Sequence, residues 1–213
     1  MEPSIIAKLT NNFTNSLTFK SPLPLFVPLT VGEKRDLIHF SFYPDDQKNN
    51  PTLQTDTFKV ARKALINGQE GYEIISYKST QYVAPDTDCY RIAVESYERP
   101  NCEIWVTSGS DQRYPKALSI DETYEYQGRK FKLIGDCELI VDGNKFQCLL
   151  ITFISPNTLI NYYLNKNGEV LLKMNYHSKG HNMYEKGSFK RGIIFENEHY
   201  SLIYYTMLNS LLS

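Results

Sequence analysis

The sequence lacks most features that mark a chemical function directly. Its 213 residues carry 23 Lys and Arg against 24 Asp and Glu, a formal charge of −1. That balance leaves no global electrostatic footprint for nucleic acid. No apolar run reaches the roughly 18–20 residues that a membrane-spanning helix needs. The motifs G-x-S-x-G, G-x-G-x-x-G, H-E-x-x-H and C-x-x-C and the P-loop are all absent. Their absence lowers the odds of an enzyme without excluding one. No leader is visible either, because Ile5 and Ile6 are followed by Lys8 and a polar run. The expected location is cytoplasmic if the chain is complete, and periplasmic or envelope if a leader has been removed. Only four cysteines are present, and they do not decide the compartment.

What is present is aromatic and apolar. Hydrophobic residues make up 41% and charged residues 22%, with sixteen Tyr and eleven Phe. This is the composition of a folded globular chain, and its length suits a single domain spanning 1–213 with a real core. The stretch from Glu122 to Tyr176 reads as three consecutive β-hairpins. In the central one, Cys137–Val141 and Asn144–Ile151 flank Asp142-Gly143, a pair that favours a two-residue type I′ turn. That turn places Val141 opposite Asn144, Leu139 opposite Phe146 and Cys137 opposite Cys148. A one-residue slip would turn the whole apolar set toward water. The Cα atoms of Cys137 and Cys148 should lie about 5.5 Å apart. Two small buried side chains and a cross-strand disulfide both fit that spacing. The preceding hairpin pairs Thr123–Tyr126 with Arg129–Ile134 across Gln127-Gly128, with Tyr124 opposite Phe131. The following one pairs Leu159–Leu164 with Glu169–Tyr176.

Elsewhere, Ile5, Ile6, Leu9, Phe13 and Leu17 follow an i, i+4 stripe that predicts a helix over Pro3–Leu17. Ser21–Pro28 reads as an extended crossing segment. Arg35–Tyr43 reads as a strand and Asp45–Asp56 as an exposed loop. Thr57–Ile66 and Tyr72–Val83 read as a hairpin around 67–71, and Cys89–Tyr97 with Cys102–Thr107 as another. Ser108–Pro115 reads as a loop, His177–Ser188 as a polar loop and Phe189–Phe195 as a last strand. Ile203, Met207 and Leu211 on one stripe, beside Tyr200 and Tyr204, predict a closing helix over Glu198–Leu212. About ten strands in sequential hairpins with a helix at each end give an α+β, predominantly antiparallel fold. The expected architecture is a strongly curved sheet, a half-barrel first and a lipocalin-like closed barrel second. Both helices should cover the sheet face that carries Leu139, Val141, Phe146, Leu172 and Met174.

The run Gly135-Asp-Cys-Glu-Leu-Ile-Val-Asp-Gly-Asn-Lys-Phe-Gln-Cys148, followed by Tyr162-Tyr-Leu-Asn-Lys-Asn-Gly-Glu-Val-Leu171, resembles a pattern in LolA-like bacterial envelope proteins. In these a "V…G.F.C" hairpin precedes a "Y…GEV" hairpin. The resemblance covers about 135–171 and implies an apolar cavity for acyl chains; the family is exported, and this chain shows no leader. It supplies no functional residues.

Candidate sites are few. Tyr90, Trp105, Tyr162 and Met174 are the candidate ligand-binding residues, able to line an aromatic pocket or equally to form ordinary core. His177 and His181, with Lys179, Lys186, Lys190 and Arg191 nearby, are the candidates for binding an anion or metal; as a solvated loop they would do neither. Asp45-Asp46 and Asp86-Thr-Asp88 lack a Gly-centred calcium loop, and nothing brings Glu95, Glu122 and Glu125 together for acid–base work. No cofactor is expected. The first functional expectation is a non-catalytic protein holding a hydrophobic small molecule. The alternatives are an accessory protein presenting an aromatic sheet face to a partner or to a second copy, and an enzyme using the His177–His181 loop.

Overall fold

The computed structural model describes residues 10–14, 23–24, 30–41, 52–76, 80–86, 88–93, 96–99, 103–106, 112–119, 122–141, 143–155, 158–178, 200–208 and 211. Its strands in chain order are β1 (Thr10–Thr14), β2 (Leu23–Pro24), β3 (Lys34–Ser41), β4 (Thr52–Ile66), β5 (Gln69–Ile75) and β6 (Thr80–Pro85). Then come β7 (Cys89–Ala93), β8 (Ser96–Arg99), β9 (Glu103–Val106), β10 (Gln112–Pro115), β11 (Ala117–Leu118) and β12 (Thr123–Tyr126). The last are β13 (Arg129–Val141), β14 (Asn144–Ile154), β15 (Thr158–Leu164), β16 (Val170–Ser178) and β17 (Tyr200–Leu208).

Fifteen of these strands form one sheet whose main path runs β1-β13-β14-β15-β16-β17-β3-β4-β5-β6-β7-β10. Pairing is antiparallel except where β9 lies parallel to the end of β4. Twisted open sheets beyond about ten strands curl, and this one curls strongly into a half-barrel. A ring contact makes the curl explicit. Strands β13 and β10 are ten steps apart on the path, roughly 48 Å in a flat sheet at about 4.8 Å per step. Yet Tyr114 on β10 and Phe131 on β13 have ring centroids 5.1 Å apart.

The hairpin registers follow from their turns. Val141 pairs with Asn144, Leu139 with Phe146 and Cys137 with Cys148, as the Asp-Gly turn requires. Gly143 has φ 88°, the left-handed region in which glycine escapes the Cβ penalty. Both Cys137 and Cys148 are buried free thiols. Tyr124 pairs with Phe131. The stretches 129–134 and 137–141 are not separate strands: they join as β13 through a bulge between Leu133 and Gly135, which bends the strand and adds twist. In the loop between β15 and β16, the Asn165 side-chain oxygen accepts the N–H groups of Asn167 and Glu169, each at 3.0 Å. Glu169 in turn meets Arg35 of the β3 region at 3.4 Å.

Several expectations are corrected. Thr10–Thr14, inside the predicted first helix, is strand β1, with Phe13 opposite Cys137. Tyr200–Leu208, inside the predicted last helix, is strand β17, seated between β16 and β3. The remainder of both predicted helices, apart from Leu211, lies outside the described residues. Phe13, Ile203 and Met207 therefore lie on strands of the sheet itself and do not cover it as helix. Leu211 alone behaves as expected, buried in the same core as Leu139, Val141, Leu172 and Met174, with Phe146 packed against it. Gln112–Pro115 is not loop but strand β10, and Thr52–Asp56 belongs to β4. The turn after β4 is the two-residue Asn67-Gly68, with φ of 50° and 78°, and the run after it breaks into β5 and β6. Strand β7 pairs with β6 and β10, and the hairpin partner of β9 is β8. Leu23–Pro24, within the expected crossing segment, is the extended strand β2 and pairs with β11. Phe189–Phe195 lies outside the described residues.

Strands β14 and β15 are buried on both faces, so the core is double. One face carries the cluster of Leu139, Leu150, Tyr163, Leu172, Met174 and Tyr176, joined by Ile38 and Leu211. The other carries Phe131, Leu133, Leu149, Ile151, Ile160 and Tyr162. Tyr114 on β10 and Leu118 on β11 pack against that second face, and Tyr124 extends it on β12 beside Phe131.

Candidate functional site

The second face has the most organised chemistry. Register aligns its side chains in two rows across the sheet. The first runs Leu133–Ile151–Tyr162–Lys173, and the second Phe131–Phe153–Ile160–Asn175. Both begin apolar on β13 and end polar on β16. Above them lies Tyr114. Its ring is tilted 55° to Phe131 and stands at 83° to Tyr162, with centroids 5.1 and 6.2 Å away. Phe131 also meets Phe153 at 4.8 Å and Tyr124 at 6.5 Å. Tilted and edge-on rings are the arrangement their quadrupoles favour. The Tyr114 and Tyr162 hydroxyls approach to 3.2 Å, placing a polar point inside an apolar layer.

Cations border the rings. The Lys173 Nζ lies 5.7 Å from the Tyr162 ring centre. The Arg113 guanidinium carbon lies 4.3 Å from Tyr126, and the Lys116 Nζ lies 5.5 Å from Tyr90. These are cation–π distances. Lys116 also donates to the Asp86 carbonyl. Burial, then a hydrogen bond with Cys89, pushes the Tyr124 phenol well above its usual range. Burial likewise pushes the Cys89 thiol up, with the Tyr124 contact and Arg113 opposing, and it raises the Tyr90 phenol. Cys148 is pushed up to about 12 by burial and by Cys137. Each group stays neutral near pH 7, so Cys89 and Cys148 offer no thiolate nucleophile there.

The sequence-predicted residues separate in space. Tyr162 is buried in the rows just described. Tyr90 is half-buried on β7, directly opposite Tyr114. Met174 lies on the other face, where the Tyr176 hydroxyl donates to its sulfur at 3.6 Å. Tyr162 and Met174 therefore cannot line one side of the sheet together, because Tyr162 pairs with Lys173 and Met174 with Asn161. Trp105 stands on β9 opposite Tyr97; its side chain is outside the described set. His177 is the penultimate residue of β16, between Thr158 and Ser201, again without a described side chain, and His181 lies outside the described residues. Among the described residues no three His, Cys, Asp or Glu side chains gather as a metal-ligand set. Glu122 and Glu125 are engaged separately, Glu122 by the Ser119 N–H at 2.8 Å and Glu125 by Lys130 at 3.3 Å.

Sequence reasoning missed Tyr114, because its stretch read as loop. It also missed Lys173, the polar residue between Leu172 and Met174, although the alternation of Leu172, Met174 and Tyr176 already turns Lys173 to the opposite face. A second polar pair was missed as well: His39 Nε2 lies 3.4 Å from Asp56 Oδ2. No local signal couples those two positions, since β3 and β4 are joined through a long polar stretch.

No family model, no curated protein and no solved structure matches this chain. Among the described residues no helix is long and apolar enough to cross a membrane.

Proposed function

We propose that this protein is a non-catalytic binding protein that holds a hydrophobic, lipid-like small molecule against its curled sheet. The observation that carries this reading is the aromatic face of β13–β15 beneath Tyr114. Its cover, β10, pairs through its backbone with β7 among the described residues, and meets this face through rings and one hydroxyl contact. An apolar guest can enter by displacing side chains without breaking a strand ladder. Ligand sites of this kind are mainly apolar, with a few placed polar groups. The likeness of residues 135–171 to LolA-like proteins, whose cavities take acyl chains, supports the same reading. So do the neutral, buried thiols, which offer no nucleophile.

Native mass spectrometry of the full chain, as purified and after delipidation, tests the proposal together with titration by the neutral dye N-phenyl-1-naphthylamine. A co-purifying apolar molecule or saturable dye binding near one per chain is expected. A delipidated chain that binds no dye and carries nothing as purified would overturn it.

A further inference from the structure

We infer that the ligand of this face is a single-chain amphiphile bearing a carboxylate, with its head at Lys173 and its alkyl chain along the Leu133–Ile151–Tyr162 row. This deepens the binding reading above and rests on it. The geometry starts from the register: Leu133, Ile151, Tyr162 and Lys173 face the same side on four successive strands. Three strand steps of about 4.8 Å make a lane roughly 14 Å long, apolar at one end and cationic at the other. That polarity matches an alkyl carboxylate laid across the strands.

Lys173 is singled out from the other cations by its surroundings. Arg113 sits on the Tyr126 ring, in a neighbourhood where Asp88 also acts on Tyr124 and Cys89. Lys116 is engaged by the Asp86 carbonyl. Lys173 is half-buried and, among the described residues, has no carboxylate partner; its one aromatic contact is the Tyr162 ring. A partly desolvated ammonium without a counter-charge favours an anion beside it. The paired Tyr114 and Tyr162 hydroxyls put a polar point at the Tyr162 position of the lane. A neutral lipid would leave the ammonium unanswered.

The test uses the delipidated full chain, loaded with N-phenyl-1-naphthylamine and titrated with palmitate or hexadecanol, which differ only in the head. Wild type should release dye to palmitate at concentrations about tenfold lower than to hexadecanol, the scale of a hydrogen bond to a charged group. Lys173→Met should erase that preference, so that palmitate and hexadecanol displace the dye at equal concentrations, and Lys173→Arg should retain it. In wild type the preference should also shrink in high salt, a readout that holds even if Lys173→Met does not fold. Equal affinity for the two compounds in wild type, or a preference that survives Lys173→Met, overturns the carboxylate assignment and leaves the binding reading intact. Failure of the dye to bind at all defeats the binding reading instead, and this inference with it.

Discussion

At the scale of single residues, the tightest constraint is at Gly71 on β5. A Cβ there would lie 2.5 Å from the Val83 carbonyl oxygen, 2.6 Å from Ile66 Cδ1 and 3.0 Å from Ala84 Cα. Two of the three are backbone atoms of β6 and cannot swing away as a side-chain tip can. Gly71→Ala should therefore destabilise by about 1–3 kcal/mol, the usual cost of overpacking, read as a lower urea midpoint; an unchanged midpoint would show that β5 and β6 can part. Cys148 makes a second prediction, in pH. Its thiol ionises near 9 unfolded and at about 12 folded. Between those values the folded chain holds the proton longer, so stability is full below pH 9 and falls as pH rises toward 12. The slope is at most about 1.4 kcal/mol per pH unit for one group. Tyr124, Cys89 and Tyr90, also raised, add in the same direction. Cys148→Ala should flatten part of the alkaline loss in melts from pH 8 to 10.5, and an unaltered slope would mean the thiol is not what titrates. The Gly71 constraint is not legible in the sequence, where it lies in a plausible turn-rich run. Burial of Cys148 is one of the two readings that the Asp142-Gly143 register offers, and the buried free thiols decide for it.

At the scale of elements, turn chemistry carries most of the information. Asn67-Gly68 and Gln127-Gly128 both place a non-glycine residue at positive φ, 50° and 51°, ahead of a glycine at 78° and 73°. Asparagine tolerates that conformation and glutamine does so poorly. Gln127→Asn should thus stabilise the β12–β13 turn by about 0.5–1 kcal/mol, despite losing the 3.1 Å contact of the Gln127 amide with the Tyr126 hydroxyl. A lower melting temperature would show that this contact outweighs the backbone gain. The two-residue turns make the registers of Tyr124 with Phe131 and Leu139 with Phe146 legible in the sequence, because Gly128 and Gly143 anchor them locally. The two ends of the chain were misread for an identifiable reason. Leu9, Phe13 and Leu17 are four apart, as are Ile203, Met207 and Leu211, and four is an even number. An i, i+4 stripe taken alone lines one face of a strand as well as one face of a helix, and the i+3 neighbours Ile6–Leu9, Tyr200–Ile203 and Tyr204–Met207 tip the reading toward helix. That reading should have been outweighed by the Thr and Asn residues of 10–14, poor helix formers, and by the β-branched and aromatic run Ile203-Tyr-Tyr-Thr206.

At the scale of the whole molecule, the local hairpins say nothing about which of them meet. The pairing of β17 with β3 brings Met207 opposite Ile38, and the return of β10 brings Tyr114 onto Phe131. Neither partnership has a sequence signature, so the β13–β16 meander and the strong curvature of the sheet were legible, while the particular contacts that close the curl, and with them the grouping of Tyr114, Tyr162 and Lys173, were not. The same topology makes β17 the join between two halves. On one side lies the meander β13–β16, and on the other β3 leads to β4–β7. Removing Glu198–Ser213 takes out a central strand and withdraws Leu211 from a core that includes Ile38 and Met174. It also leaves β16 and β3 with facing, unpaired edges, the exposed ladder groups that drive aggregation. The truncated chain should therefore not fold as a monomer: loss of the cooperative melt, with aggregation, is the expected outcome. A milder form keeps the chain length. Thr206 pairs with Lys173 on one side and His39 on the other, and Thr206→Pro removes its ladder donor from the middle of the sheet. That single change should cost about 3 kcal/mol or more. A truncated chain that remains a soluble monomer, or a Thr206→Pro variant that melts with wild type, would mean that the two halves are held together by side-chain contacts such as those of Tyr114 and not by the continuous ladder through β17.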